Sequence, residues 1–255
     1  MTAPRVSAIF VYPIKSLSRT AVAESRIVPG GGLTHDREFA LFDKEGAVIN
    51  GKRHPRVHHI QASYDLPALT ITLGDRTFHV IEDHASLERW FSDYFGFPVT
   101  MSRNTTTGFP DDLESPGPTI LSVATLDEVN RWFPNLDREQ IGPRFRANIE
   151  IDGVPAFWED RLFGEPGEVV DFTVGAVRFQ GVNPCARCPV PSRHPDTAEV
   201  VPDFTRIFST KREATLPLWA APGRFDHFYR LSVNTRVPAS EKGKVLRVGD
   251  GITYL

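Results

Sequence analysis

Short runs of β-branched and aromatic residues, each ended by a turn-forming group, recur along this chain and limit the folds that it can adopt. The first half holds six such runs, at residues 5–12, 21–28, 38–43, 57–63, 68–73 and 77–82. Groups such as Pro29-Gly30-Gly31-Gly32 and Gly74-Asp75 separate them. Because short strands alternate with turns in antiparallel folds, the pattern predicts an antiparallel sheet or a small barrel.

Three stretches depart from this pattern and predict helices. The first carries an apolar stripe at helical spacing, formed by Leu87, Trp90, Phe91, Tyr94 and Phe95. It follows a cap at Asp83 or Ser86, and we interpret the stripe as core packing and not as a cofactor-binding face. The sequence 125–128 has the form of a capping box and predicts a second helix that ends before Pro134. Residues 203–212 predict the third.

A polar stretch at 104–118, rich in proline, glycine, threonine and aspartate, divides the chain into two halves. Beyond it, strand-like runs resume at 145–151, 169–174, 176–182, 229–237 and 245–255. The fold class predicted for the whole chain is therefore mainly β, a β-rich α+β arrangement with a few helices.

The composition excludes several classes of protein. The 29 Lys and Arg residues are spread along the chain among 32 Asp and Glu, for a net charge of −3, which is not the charge pattern of a nucleic-acid-binding protein. No apolar run approaches the ~20 residues of a membrane span, and the first residues lack a signal-peptide pattern. We expect a cytoplasmic protein without nucleic-acid or membrane partners, whose two cysteines are reduced thiols.

Both cysteines lie in one segment, Cys185-Ala186-Arg187-Cys188. A structural zinc site needs four ligands, and no nearby histidine pair completes this one. A thioredoxin-type redox pair begins a helix, which Pro184, Pro189 and Pro191 disfavour, so we predict a loop. Two structural cysteines in a rigid turn are a further interpretation.

Cations in predicted loops suggest a pocket for an anion. Several of them lie where a strand-like run gives way to a turn. The cations set in predicted loops are Lys15, Arg37, Lys52, Arg53, Arg56, Arg144 and Arg146. Taken singly, each is an ordinary surface charge. Taken together with an exposed thiolate beside Arg187, they suggest a site for a phosphorylated cofactor in which a sulfur ligates a soft metal.

Five segments, in chain order, make the sequence resemble the MOSC family, the molybdenum-cofactor sulfurase C-terminal-like proteins that carry an additional N-terminal β-barrel domain. They are Val11-Tyr12-Pro13-Ile14-Lys15-Ser16, His35-Asp36-Arg37-Glu38-Phe39, Arg53-His54-Pro55-Arg56, Phe145-Arg146-Ala147-Asn148-Ile149, and Cys185-Ala186-Arg187-Cys188 through Pro195-Asp196-Thr197. The likeness spans nearly the whole chain. It implies an N-terminal β-barrel domain over residues 1–110, a MOSC β-barrel domain over 115–255, and a cofactor in the cleft between them.

The resemblance also implies roles for individual residues. In the members that reduce amidoximes and other N-hydroxylated compounds, a cysteine thiolate ligates molybdenum beside the dithiolene of one molybdopterin. By likeness to them, Cys188 is the metal ligand and Arg187 lies beside the metal, so that both are catalytic, whereas Cys185 is not a ligand. The implied cofactor-binding residues are Lys15, Ser16, Arg37, Arg146, Asn148 and, by a looser match, Ser115. Pyridoxal phosphate is not expected.

Two stretches depart from the family pattern. In the family's Asp-Pro-Asp-Thr-Gly sequence after the ligand cysteine, His194 replaces the first aspartate and Ala198 the glycine. A tyrosine expected near the C-terminal strands is replaced by Phe228 or displaced to Tyr229. We expect these changes to affect the substrate and not the cofactor.

The function implied is a molybdenum-cofactor-dependent oxidoreductase that reduces small N–O or S–O substrates by two-electron oxygen-atom transfer, with molybdenum cycling between (IV) and (VI). Two cysteines cannot hold a four-Cys iron–sulfur cluster as well as molybdenum. A separate electron-transfer protein or reductase is therefore implied. The alternative is a non-enzymatic carrier of the cofactor, or a protein that relays sulfur on Cys188 as a persulfide.

Overall fold

The computed structural model describes residues 3–254, and strands dominate it. The strands are β1 (Arg5–Val11), β2 (Thr20–Val22), β3 (Glu24–Arg26), β4 (Phe39–Phe42), β5 (Ala62–Asp65), β6 (Thr70–Leu73), β7 (Arg76–His79), β8 (Thr100–Arg103), β9 (Ile120–Ser122), β10 (Ile149–Asp152), β11 (Val170–Val174), β12 (Val177–Ala186), β13 (Arg230–Arg236), β14 (Val245–Arg247) and β15 (Ile252–Tyr254). The α-helices are α1 (His84–Phe95), α2 (Val123–Trp132), α3 (Arg138–Phe145) and α4 (Phe204–Ala214). Short 3-10 helices cover Pro55–His59, Trp158–Leu162, Val190–Ser192, Pro222–Arg224 and Ala239–Glu241. The mainly β class predicted from the sequence is confirmed.

Eight strands form one sheet in the order β15-β11-β12-β13-β9-β10-β1-β2. Its neighbours are antiparallel except for the parallel pair β9 and β10. The Val6 amide donates to the Asp250 carbonyl (2.8 Å) and the Ile252 amide to the Pro4 carbonyl (3.0 Å), so that β1 also meets the start of β15. These bonds close the sheet into a barrel, which is filled by apolar residues such as Ile149.

The remainder of the first half packs around a second core. The three-stranded sheet β5-β6-β7, the pair β4-β8 and α1 surround it. Its buried members include Leu41, Ile71, Leu87 and Phe91. Strands β1 and β2, although early in the chain, belong to the barrel sheet. The domain limits of 1–110 and 115–255 stay a prediction.

Helix α1 agrees with its sequence pattern. It begins after Asp83 and ends at Gly96, whose left-handed backbone (φ 80°) lets its amide bond the Ser92 carbonyl at 2.8 Å. Leu87, Phe91 and Phe95 of the stripe are buried in the second core, as interpreted. The predicted third helix, at 203–212, corresponds to α4.

Four sequence predictions in these elements are wrong. The run at 57–63 begins as the 3-10 helix Pro55–His59 before β5, because a proline at its start favours a helical turn. Helix α2 starts at Val123 and not at the predicted box, since the Ser122 side chain accepts from the Thr125 amide at 3.1 Å and caps it. The runs at 21–28 and 245–255 each divide into two short strands, and Leu255 lies outside the described residues.

Two further corrections concern the segments of the predicted site. The run at 145–151 is not one strand: α3 ends at Phe145, Arg146 has a left-handed backbone (φ 52°), and β10 starts at Ile149. The cysteine segment is not wholly a loop, because β12 continues to Ala186. Strand β11 pairs with β12 only as far as Gly181. The rest of β12 is paired on one side only, with β13, and its free edge tolerates Pro184.

Candidate functional site

A cleft of about 770 Å³ lies between the loops of the first half and the mouth of the barrel. Its walls come from the β1–β2 loop, the loop before β4, residues 107–119, the turn between α3 and β10, and the end of β12. Every residue proposed for the site from the sequence lies on these walls: Lys15, Ser16, Arg37, Ser115, Arg146, Asn148, Arg187 and Cys188. The fold therefore brings together residues that are distant in sequence, while their individual roles stay predictions.

The cleft carries excess positive charge. Within the described chain its lining holds eight Lys or Arg residues against four carboxylates: Lys15, Arg37, Lys52, Arg144, Arg146, Arg187, Arg224 and Arg230. Two of the cations grouped with them from the sequence lie elsewhere, since Arg53 pairs with Asp43 (3.2 Å) and Arg56 donates to the Tyr94 carbonyl (2.6 Å). A concave site with this charge favours an anionic ligand.

Lys15 and Ser16 form one corner of the cleft. The Lys15 amide bonds the Phe39 carbonyl at 2.7 Å, and Ser16 has a left-handed backbone (φ 75°) that turns the chain at the wall. The Lys15 ammonium lies 2.7 Å from the Asp111 carboxylate and donates to the Phe109 carbonyl at 2.9 Å. The lysine thus holds the loop after Phe109 against the cleft.

Arg37 and Asn148 are connected at the back of the cleft. The Arg37 guanidinium donates to Asp36 (2.5 Å) and to the Asn148 side-chain oxygen (3.4 Å). The Asn148 amide nitrogen donates to the Phe10 carbonyl at 3.1 Å, and its oxygen accepts from the Thr119 amide at 3.2 Å. Asn148 is buried, so its amide joins β1, β9 and β10 and fixes Arg37 on the wall.

Several hydrogen-bond donors on the cleft wall have no partner within the described chain, among them Nε and Nη2 of Arg144. Three more belong to residues proposed for the site, namely the Ser115 hydroxyl, Nη2 of Arg146 and Nε of Arg187. Arg146 lies over the Tyr12 ring, 4.0 Å from its centroid, and burial lowers the pKa of its guanidinium. Buried donors are normally satisfied, so these three indicate a ligand that supplies acceptors.

The two thiols differ in environment. Arg187 donates to the Cys185 sulfur at 3.1 Å and to the Phe145 carbonyl at 2.6 Å. Both thiols are free, Cys185 is half-buried and Cys188 is exposed. The guanidinium expected beside Cys188 therefore contacts the sulfur of Cys185. The cause is the extension of β12, because residues i and i+2 of an extended chain face the same side.

The loop after Cys188 is anchored from both halves of the chain. Buried Arg144 donates to the Pro191 carbonyl (3.1 Å) and the Arg193 carbonyl (2.5 Å). His58 lies 3.2 Å from the Pro195 carbonyl. The Nδ1 atom of His194 accepts from the amides of residues 196 and 197, so this histidine shapes the turn as an aspartate would.

Several residues of the cleft were not singled out from the sequence. Asn183 and Asn234 pair across β12 and β13 at 3.0 Å, and Asp36, Asp112 and His58 also line the walls. No clear signal marks Asn234, because Ser232, Thr235 and the terminal arginines make β13 a largely polar strand. Tyr229, considered for the missing tyrosine, is buried among aromatic rings and does not line the cleft.

Residues 3–254 lack two features. No group of three or more His, Cys, Asp or Glu side chains there could hold a metal ion, so the cysteine pair is not completed into a zinc site. None of the helices in this range has the length and apolar character needed to cross a bilayer.

Two family models match the chain. The model of the MOSC N-terminal beta barrel domain matches residues 3–82, and that of the MOSC domain matches residues 119–253. The YUAD protein from Bacillus subtilis, a solved structure, aligns over 98% of this chain and 94% of its own with 10% identity and a TM-score of 0.41.

Two curated relatives illustrate the range of the family. The molybdenum cofactor sulfurase of Danio rerio is 25% identical over 233 residues, which cover 71% of this chain but 27% of that protein. The mitochondrial amidoxime reducing component 2 of Macaca fascicularis is 20% identical over 241 residues, 76% of this chain and 68% of that protein. The chain thus spans about a quarter of the length of the sulfurase. Since the MOSC domain model alone matches more than half of its residues, this chain belongs to the MOSC family.

Proposed function

We propose that this protein binds the molybdenum cofactor in the cleft and reduces small N-hydroxylated or related N–O and S–O compounds with electrons from a separate reductase. The observation that carries the proposal is the set of unpartnered donors, Ser115, Arg146 and Arg187, on the wall of a cationic cleft that ends at the exposed thiol of Cys188. Membership of the family supports a relationship to the molybdenum cofactor. The substrate class is proposed in addition to it.

The donor set fits this cofactor. A thiolate is a soft ligand suited to molybdenum, and Cys188 is the exposed thiol of the cleft. The cations of the wall suit a phosphate, and the Ser115 hydroxyl and Arg146 suit the acceptors of a pterin. When bound, the cofactor supplies a metal centre that exchanges an electron pair and an oxygen atom with the substrate.

The protein's own residues position the reacting groups. Arg187 connects the end of β12 to the Phe145 carbonyl, and Arg144 fixes the chain at Pro191, so Cys188 is held between two anchored points. Asn148 holds Arg37 toward the ligand. Reduction of an N–OH group consumes two electrons and two protons and releases water. The reductase supplies the electrons, and the open cleft admits a small substrate and solvent protons.

The relatives support the same class of chemistry. One of them is an amidoxime reducing component, and the alignment covers two thirds of its length. The identity of 20% is too low to carry over a substrate. The choice of N-hydroxylated compounds therefore depends on the cleft and on turnover experiments.

Expression in a host that makes the cofactor tests the proposal. Elemental analysis for molybdenum and fluorescence of the acid-released pterin should both detect the group, and reduced methyl viologen should support conversion of benzamidoxime. Cys188→Ser should lose the metal, whereas Cys185→Ser should retain most of it. Equal loss from both substitutions, or purified protein without pterin, would contradict the proposal.

A second candidate function is a carrier of the cofactor or a sulfur relay through a persulfide on Cys188. The exposure of that thiol favours it, as does the number of relatives that are molybdenum cofactor sulfurases. Molybdenum retained without any turnover would support the carrier. A persulfide found on Cys188 by mass spectrometry after incubation with a cysteine desulfurase would support the relay.

A further inference from the structure

A second cavity, of about 240 Å³, lies behind the cleft. Its walls are the β1–β2 loop, the 3-10 helix Pro55–His59, the end of α3 and the loop after Cys188. Ser16, His58, Arg144 and Arg146 line both spaces and form the partition between them. Ser16 and Arg146 of this partition are proposed to hold the cofactor on the side of the cleft, but no ligand is assigned to the second cavity itself.

The cavity is strongly cationic. Four arginines and one carboxylate, Asp196, line it within the described chain: Arg19, Arg144, Arg146 and Arg193. Arg19 lies 3.4 Å from Glu150, which partly offsets its charge. Asp196 accepts a hydrogen bond from Gln61 at the exposed rim. The arginines deeper in the wall therefore outnumber the anionic groups that face them.

Arg144 is the most informative of these arginines. Its exposed fraction is 2%, and only Nη1 finds acceptors, the carbonyls of residues 191 and 193. Nε and Nη2, which form one edge of the guanidinium, have no partner among residues 3–254. Burial lowers the pKa of Arg144 to about 10, and the group that opposes that shift is Tyr229 and not a carboxylate.

Arg212 shows how this chain otherwise buries a guanidinium. Its exposed fraction is 0%, and it pairs with the carboxylate of Asp160. A buried charge is costly unless a counter-charge and hydrogen bonds compensate it. Arg212 has both, whereas Arg144 has only the hydrogen bonds at Nη1. The missing component at Arg144 is an anion.

We propose that the second cavity binds a small tetrahedral oxyanion of the phosphate or sulfate class at Arg144, separately from the cofactor. The Nε and Nη2 edge of a guanidinium suits two oxygens of one anion. The Arg193 guanidinium is a second cation on the same walls. A tetrahedral anion presents acceptors in several directions, so it can accept from more than one guanidinium.

Titration of cofactor-free protein with inorganic phosphate or sulfate tests the proposal, because it does not depend on the proposed reductase activity. Isothermal calorimetry should show saturable binding at one site. The midpoint temperature of thermal unfolding should increase with phosphate by more than it increases in sodium chloride of equal ionic strength. Arg144→Met should weaken binding at least tenfold. Arg206→Met, which removes an exposed arginine paired with Asp203 on α4, should bind as the wild type does.

Arg144 also anchors the loop after Cys188, so its substitution can impair folding. Arg193→Met is the second variant, and it should fold and bind phosphate about fivefold more weakly. Stabilisation no greater than that given by chloride, or unchanged binding in both variants, would overturn the proposal. Loss of phosphate binding once the cofactor is loaded would also overturn it, since the anion would then occupy the cofactor's own phosphate position.

Discussion

At the scale of single residues, the two thiols of the cysteine pair have different surroundings. Lys15, Arg37 and Arg146 could be placed on the cleft from the motifs that carry them, although the backbone around Arg146 could not be predicted. The sulfur atom that Arg187 contacts could not be predicted, because the contact depends on how far β12 extends. Pro184 conceals that extension in the sequence, because a proline normally ends a strand.

Ala198 occupies a position that favours glycine. Its backbone is left-handed (φ 59°), and it stands where the family pattern has glycine. Ala198→Gly should relieve the clash of the side chain and raise the free energy of unfolding by about 0.5–1 kcal/mol, after the greater freedom of glycine in the unfolded chain is counted. Urea unfolding measures the change.

Ala68→Gly is the control for that prediction. Ala68 is exposed and its φ is not among the positive ones. The same substitution there should lower stability by a few tenths of a kcal/mol up to about 1 kcal/mol. If both variants lose stability equally, the loop after Cys188 does not hold Ala198 in the left-handed region.

Glu159 makes stability depend on pH. Burial, followed by the adjacent Asp160, raises the pKa of Glu159 from 4.5 to about 7. Ser122 and Thr125 lie close enough to lower this pKa. Neither of them makes a hydrogen bond with the carboxylate. The folded state thus holds this proton more tightly than the unfolded state does. The contribution of this proton to the free energy of unfolding is complete below pH 4.5. It is lost as the pH rises through 7, which lowers the free energy of unfolding by about 3 kcal/mol.

Glu159→Gln should remove that dependence. Urea unfolding at intervals from pH 5 to 8 should show a smaller fall in the unfolding free energy for the variant, which should be the more stable protein at pH 8. Asp171→Asn, at a partly exposed carboxylate paired with Arg178, should keep the fall. A wild-type curve that is flat over this range would contradict the assignment of the proton to Glu159.

At the scale of elements, a helix could be predicted where its own residues carry a helical pattern. A helix that depends on packing against the rest of the chain could not. Helix α1 has a complete aromatic stripe and a glycine stop, and its limits could be predicted. Helix α3 contains Gly142 and Pro143, which interrupt the helical pattern. The three residues of β9 pair with both β10 and β13, and so short a strand carries no periodic pattern of its own. Because α3 supplies Arg144 and the Phe145 carbonyl, the element least visible in the sequence anchors much of the site.

Gly181 marks the closest contact of β12 with its surroundings. A Cβ atom there would lie 1.6 Å from the Leu162 carbonyl oxygen, which is backbone and cannot rotate away. Gly181→Ala should therefore lower the free energy of unfolding by about 3 kcal/mol or more. Denaturant unfolding tests this, with Gly251→Ala as the control, because the Cβ at that position would meet only the Pro4 carbonyl oxygen at 3.9 Å. Similar losses in the two variants would argue against the contact.

At the scale of the whole molecule, the barrel is made from both halves of the chain. Strand β1 pairs with β10 along Arg5–Ile9, and the bonds of Val6 and Ile252 complete the closure. The composition and the strand-like runs could predict a β fold, but they could not assign β1 to the barrel. That pairing joins segments far apart in sequence, and periodicity carries no information on such partners.

A fragment of residues 115–255 should not fold alone, because it lacks the strand that closes the barrel. Its circular dichroism should lack a cooperative thermal transition. Co-expression with residues 1–110 should restore the transition and recover both fragments in one complex. A cooperative transition in the fragment alone, at the temperature of the full chain, would show that β1 is dispensable.

The closing bond between Val6 and Asp250 also constrains the order of events during synthesis. The hairpin of β1 and β2 can form soon after translation starts, yet the other edge of β1 and its apolar residues Val6 and Ile9 have no partner until β10 has been made. The last bonds wait for residues 250–252. Contacts of this sequence separation slow folding and leave strand edges unprotected. A nascent chain stalled before residue 250 should therefore be a better chaperone client than the released protein.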